Sequence, residues 1–159
     1  MTSFRYSYTR VSRPSEPSLL QFKNQPLLTI GLASNSGQLV KVLSYIDTGS
    51  QWCLFSNQYA RHLGIKDYKK TNESFPLSGI GGPNANFAYF HDLTLLIFKD
   101  TKRLKRDNAI EIQTKIGFVD RDFGFGGILG VYGFLDQFIF KANIPKGYFE
   151  LTPIFDVES

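Results

Sequence analysis

The sequence predicts a mostly β domain, and three observations carry that expectation. Fifteen Phe and eight Tyr are scattered among Val, Ile, Leu and Gly, residue types that suit pleated, half-buried surfaces. Apolar or alternating runs of strand length recur along the chain, separated by Gly, Asn, Ser and Pro. Helical signals are short: Gln58–Leu63, capped by Ser56 or Asn57 and closed by Gly64, and one or two turns within Val131–Phe138.

In chain order, residues 1–26 carry Pro14, Pro17 and Pro26 among many Ser, which reads as an arm or linker, or a removable pro-segment. Phe4–Tyr8 alternates, so the arm could also add an edge strand. Leu27–Leu32 and Leu39–Ile46 form a predicted hairpin around Ala33-Ser34-Asn35-Ser36-Gly37. Trp52–Phe55 is a short strand. Phe87–Phe98 and Ala109–Val119 are long ones, and Gly124–Gly130 leads from loop into strand. Phe138–Phe140 and Tyr148–Thr152 make a last pair. The main domain is therefore expected to span 27–159.

Composition narrows the class. A chain of 159 residues is large enough for one real core. Its single cysteine, Cys53, cannot close an internal disulfide. Met1–Arg13 lacks an apolar signal-type run, and no apolar stretch reaches the ~20 residues that span a bilayer. A cytoplasmic protein without a membrane segment is the expectation. The net charge of +4 is concentrated in Lys99–Arg106, a run with no interleaved aromatics or nucleic-acid motif. It reads as a solvated loop between strands, and no nucleic-acid partner is expected.

The most informative stretch is Tyr45-Ile46-Asp47-Thr48-Gly49-Ser50, where an apolar strand ends in an acid, a hydroxyl and a glycine. A carboxylate at the end of an apolar strand is tolerated where it is paired, exposed or used. Asp, Gly and Ser are also turn formers, so a plain turn is the competing reading. Two later features share the register of a site: the glycine-rich segment Phe75–Phe87, whose Gly79, Gly81 and Gly82 surround Ile80, and Ile128-Leu129-Gly130 followed by a short helix.

Together these three pieces resemble the retropepsin-like aspartic proteases, single-domain relatives of pepsin, over roughly Leu27–Leu151. The resemblance implies a closed β-barrel acid-protease fold acting as a homodimer on an extended peptide. It makes Asp47 the catalytic carboxylate, with Thr48 bonding across the dimer and Gly49 lying under the substrate. Ser50 and Ile128 would contact substrate. Leu77–Phe87 would be a flap, placing Ser78, Gly79, Ile80, Gly81 and Gly82 over the peptide. Viral members commonly add an ion pair between an acid just after Asp-Thr-Gly and an arginine after the apolar-apolar-Gly. Here those places hold Gln51 and Trp52, and Val131 and Tyr132.

Hydrolysis without a metal or covalent nucleophile needs one group to take a proton from water and another to give one to the carbonyl oxygen. Two adjacent carboxylates do both, because they cannot both ionise and so share a proton. No other aspartate in the chain precedes Thr-Gly or Ser-Gly, so the second carboxylate must come from Asp47 of a symmetric partner. A terminal strand, Phe4–Tyr8 or Tyr148–Thr152, would pair with its mate. Other chemistry has less support. His62, His91 and Cys53 lack a catalytic signature, Asp122-Phe123-Gly124 lacks the segments of a kinase, and no metal-ligand spacing or phosphate loop exists. No metal or cofactor is expected. The rival on the same fold is a silent dimerisation or peptide-binding module, which has no need of an intact Asp47.

Overall fold

The computed structural model describes residues 1–12, 14–15, 17, 22–77, 87–121 and 126–156. Among these residues, twelve strands and one short α-helix follow in order. Strand β1 is Phe4–Ser7, β2 Thr9–Ser12, β3 Phe22–Gln25, β4 Leu27–Ala33 and β5 Leu39–Ile46. Strand β6, Leu54–Ser56, runs directly into helix α1, Asn57–His62. Then come β7 Ser74–Pro76, β8 Phe87–Phe98, β9 Ala109–Val119, β10 Gly127–Leu129, β11 Phe138–Asn143 and β12 Tyr148–Pro153.

Six strands close on themselves in the order β4-β5-β10-β6-β9-β8, because β8 pairs back onto β4, and β7 extends β8 outward. Alternation explains the closure. Along β5, Val42, Ser44 and Ile46 are buried while Leu39, Lys41 and Leu43 are exposed. The same face of β4 and β8 supplies Leu28, Ile30, Leu32, Leu93, Leu95 and Ile97, all in one core. Beyond position 93, β8 is buried on both faces. Leu96 and Phe98 pack outside the barrel against Ala33 and the half-buried Leu104.

Most predicted elements form, with shifted ends. The helix starts one residue early, and Ser56 stands at its N-cap without a side-chain cap bond. Asn57 instead points its amide at Asp120, 3.1 Å away. Trp52 contributes only an isolated bridge to Tyr132, so β6 begins later than its apolar run suggests. Within Val131–Phe138 the helical signal shrinks to a 3-10 turn, Leu135–Gln137. Gly133 there takes a left-handed φ of 91°, which an α-helix does not accommodate. The basic run forms the β8–β9 connection. It is organised around Asp100, which accepts from the backbone N–H of Lys102 at 2.7 Å and of Arg103 at 2.9 Å. Arg103 pairs with Asp107 and Arg106 with Glu111.

The N-terminal residues contain more order than a linker. β2 and β3 pair as a hairpin. β1 joins β12 and β11 in a second sheet, with β12 in the middle. Tyr6 is buried; its ring stacks on Phe149 at 5.4 Å and its hydroxyl donates to the Phe98 carbonyl at 2.7 Å. That burial pushes the phenol pKa well above its ordinary value. The expectation that a terminal strand meets its mate is thereby narrowed. Both edges of β12 are filled within its own chain, so among the described strands of this sheet the outer edges of β1 and β11 are the ones left unpaired.

Candidate active site

The site begins where β5 stops. β5 and β10 run parallel, with Tyr45 opposite Ile128 and Ile46 opposite Leu129. The Asp47 N–H then donates to the Leu129 carbonyl at 3.0 Å. This bond pins the first residue after the strand to the apolar-apolar-Gly segment. Asp47 folds over its own loop: Oδ1 accepts from the Gly49 N–H at 2.9 Å, and the backbone carbonyl accepts from the Ser50 N–H at 3.2 Å. Such side-chain-to-backbone bonds make the Asx-turn that the sequence also allows. The turn that the sequence allows is therefore present, with the Asp47 carboxylate closing it.

The loop is then tied to the following segment. Val131 N–H donates to Ser50 O at 2.8 Å and Tyr132 N–H to Gln51 O at 2.9 Å. Ser50 Oγ donates to Trp52 O at 2.8 Å. This proximity depends on Gly130, where a Cβ would fall 2.3 Å from Trp52 O and 2.8 Å from Ser50 O. Gly127 plays a similar part against the ring of Phe55, 2.3 Å from where its Cβ would lie. Gly130 was legible as a close-approach position; Gly127 was not, although the Gly126-Gly127 pair before Ile128 was a signal for it.

The predicted residues are placed unevenly. Asp47 and Ser50 are half-buried, while Thr48 and Gly49 are exposed. Ile128 is half-buried on β10, paired with both Tyr45 and Leu54. The Thr48 hydroxyl has no partner among the described residues of its own chain. Ser78, Gly79, Ile80, Gly81 and Gly82 lie outside the described residues. The flanking strands β7 and β8 pair antiparallel, Pro76 opposite Phe87. Where the viral ion pair would stand, Trp52 and Tyr132 form a parallel bridge with ring centroids 5.7 Å apart. Among the described residues, no cluster of three or more His, Cys, Asp or Glu could hold a metal ion.

Among solved structures, the chain is similar to a retropepsin-like aspartic protease from Rickettsia conorii. The TM-score is 0.53 at 15% identity, over 95% of this chain and 99% of that one. The fold is retropepsin-like. Lesser likenesses are to the retroviral protease-like domain of Ddi1 from Leishmania major, with TM-score 0.46, 15% identity, 71% of this chain and 79% of that one. EIAV protease complexed with the inhibitor HBY-793 follows, at TM-score 0.33 and 18% identity over 76% of this chain and 88% of that one. Neither of these two carries the argument. No family model matches the sequence, and no curated protein matches it.

Within the retropepsin-like fold, Cys53 sits directly behind the site loop. Its thiol is fully buried and faces the Tyr132 carbonyl at 3.7 Å. Burial pushes its pKa up from 9.0 to about 12, the Asp136 charge adding to this and a backbone hydrogen bond from Gly130 opposing it. A raised thiol pKa keeps the proton on in the folded state while the unfolded chain loses it. The associated stability is thus complete below about pH 9 and falls as pH rises toward 12. By pH 10.5 the loss should be on the order of 1–2 kcal/mol. Melting temperatures of wild type and Cys53→Ala, measured from pH 8 to 10.5 under reductant, should therefore converge as pH rises. A constant gap would mean the thiol does not titrate as this environment demands. Among the described residues, no helix is long and apolar enough to cross a membrane.

Proposed function

We propose that this chain is an aspartic endopeptidase, active as a homodimer in which two Asp47 carboxylates face one water. The observation that carries the reading is the seating of Asp47. It stands at the mouth of a closed barrel, half-buried, its loop cross-bonded to Leu129, Val131 and Tyr132. One carboxylate takes a proton from water as its oxygen attacks the peptide carbonyl carbon. The other, protonated, gives its proton to the carbonyl oxygen. The first carboxyl then passes the water proton to the amide nitrogen, a hydroxyl of the intermediate returns a proton to the second carboxylate, and collapse breaks the C–N bond to release amine and acid. Gly49 and Ser50 offer the floor for an extended peptide, Ile128 an apolar contact, and Ser78–Gly82 a covering flap. The exposed Thr48 hydroxyl is available to its symmetric counterpart. Cytoplasmic residence remains part of this proposal.

The test is digestion of a diverse peptide library from acid to neutral pH, with and without a hydroxyl-isostere inhibitor. Cleavage that the inhibitor blocks, and specific activity that rises with protein concentration before saturating, are the expected results. No cleavage at any pH or concentration would leave the silent binding module as the better reading. Flap function has its own check. Val at Gly81 or Gly82 is expected to lower turnover by roughly tenfold or more while the melting temperature barely moves, because a lid must bend to admit substrate. Parallel losses of both would make the hairpin a structural element.

A further inference from the structure

Four aromatic rings line a groove beside the site loop. Trp52 lies between Phe75, Phe90 and Tyr132, at centroid distances of 6.2, 5.5 and 5.7 Å. The groove has a volume of about 600 Å³, and Glu73, Thr114, Lys115 and Gly133 are among the residues that share its wall. Phe75 and Tyr132 are 57% and 55% exposed, a large apolar surface to leave in water beside a half-buried indole. Clustered exposure of this kind marks an interaction site, unlike single scattered apolar residues.

The rim supplies the second observation. Lys115 reaches Glu73 at 2.6 Å and Asp92 at 3.0 Å. Glu73 and Lys115 line the groove and Asp92 stands beyond them on the same ammonium, so this three-membered cluster carries two negative charges and one positive on a protein whose overall charge is +4. The groove is also continuous with the site. Trp52 O accepts from Ser50 Oγ, and Phe75 lies on β7, the strand that leads toward Ser78.

We infer that this groove docks an aromatic side chain followed by Lys or Arg in a polypeptide substrate, at a distance from the bond being cut. The ring enters between Phe75, Tyr132 and Trp52, where edge and face contacts are available. The cation meets the Glu73–Asp92 rim. The inference deepens the endopeptidase reading by naming a substrate feature, and rests on that reading only for cleavage.

Trp52 is the only tryptophan, so its emission reports occupancy without any catalysis. The experiment titrates full-length Asp47→Asn protein with the peptides acetyl-Gly-Phe-Lys-Gly-amide and acetyl-Gly-Phe-Glu-Gly-amide. A saturable change in emission is expected, about threefold tighter for the Lys peptide at low salt and converging at high salt. Phe75→Ser and Tyr132→Ser, confirmed folded by thermal melting, should each weaken binding by about tenfold or more. Glu73→Gln should remove most of the preference for Lys over Glu. Silent emission, or identical binding in both aromatic variants, would overturn the inference. So would emission that follows protein concentration without peptide, since a second copy would then fill the groove. A companion digestion separates the two readings. Docking without cleavage of any peptide by wild type sinks the endopeptidase and keeps the groove, whereas cleavage with Trp52 silent does the reverse.

Discussion

Asp47→Asn is expected to lower peptide hydrolysis by at least about a thousandfold, with unfolding temperature nearly unchanged. The asymmetry follows from what the carboxylate touches. Its Oδ1 accepts one backbone bond from Gly49, and an amide oxygen accepts that bond equally well. The residue is half-buried, so losing its charge costs the fold little. What the amide cannot do is take a proton from water. A sharper form of the experiment joins two copies through a flexible linker and places Asp47→Asn in one of them. In the proposed dimer the two carboxylates act as a unit, so the tethered protein should be nearly as inactive as the double variant. It must be assayed dilute, where exchange between tethered molecules cannot rebuild a wild-type pair. Half of the parental rate there would show that each chain holds a complete site.

Gly130→Ala is expected to be the most damaging small substitution for stability, by about 2–3 kcal/mol, or roughly 5–10 °C in melting temperature for a chain of this size. The reason is the identity of the atoms in the way. A Cβ at Gly130 meets Trp52 O at 2.3 Å, Trp52 C at 2.7 Å and Ser50 O at 2.8 Å. All three belong to backbone, which cannot swing aside as a side chain can. Relief requires the 127–131 segment to separate from the Asp47 loop. That weakens the bonds from Val131 to Ser50 and from Tyr132 to Gln51. Chemical denaturation of Gly130→Ala measures the effect. A loss below about 0.5 kcal/mol, ordinary for a surface position, would mean the loop has room the structure does not show.

Much of this architecture was legible because β structure writes a period of two into the chain. The runs Leu27–Leu32 and Leu39–Ile46 were readable as a hairpin that ends at Asp47, but which face turns inward was not, because the exposed Leu39 and Leu43 are as apolar as the buried Val42 and Ile46. The Asp-Thr-Gly-Ser stretch and Ile128-Leu129-Gly130 were readable as partners only through a family resemblance, since their contact joins residues far apart in sequence. Three things escaped for the same physical reason. The identity of β8 and β4 as the strands that close the expected barrel, the seating of Tyr6 under Phe98 and the gathering of Trp52, Phe75, Phe90 and Tyr132 are all non-local, and no local pattern encodes them. The one or two helical turns expected within Val131–Phe138 come to a single 3-10 turn, Leu135–Gln137, which begins only after Gly133 and its left-handed backbone.

The pairing of β1 with β12 also sets a schedule for the newborn chain. Arg5 and Glu150, bonded at 2.9 Å, are 145 residues apart. Synthesis at ~5–20 residues per second means the first strand waits on the order of ten seconds for its mate to be made. During that interval Tyr6 has no Phe149 to lie against, and its aromatic face is open to any other surface nearby. The β2–β3 hairpin and the β4–β5 pair are local and can form early, but the second sheet cannot exist until Tyr148–Pro153 has left the ribosome. Such late, long-range closure makes for slow folding. A chain shortened before Tyr148 would leave both its opening strand and the floor of its core uncovered.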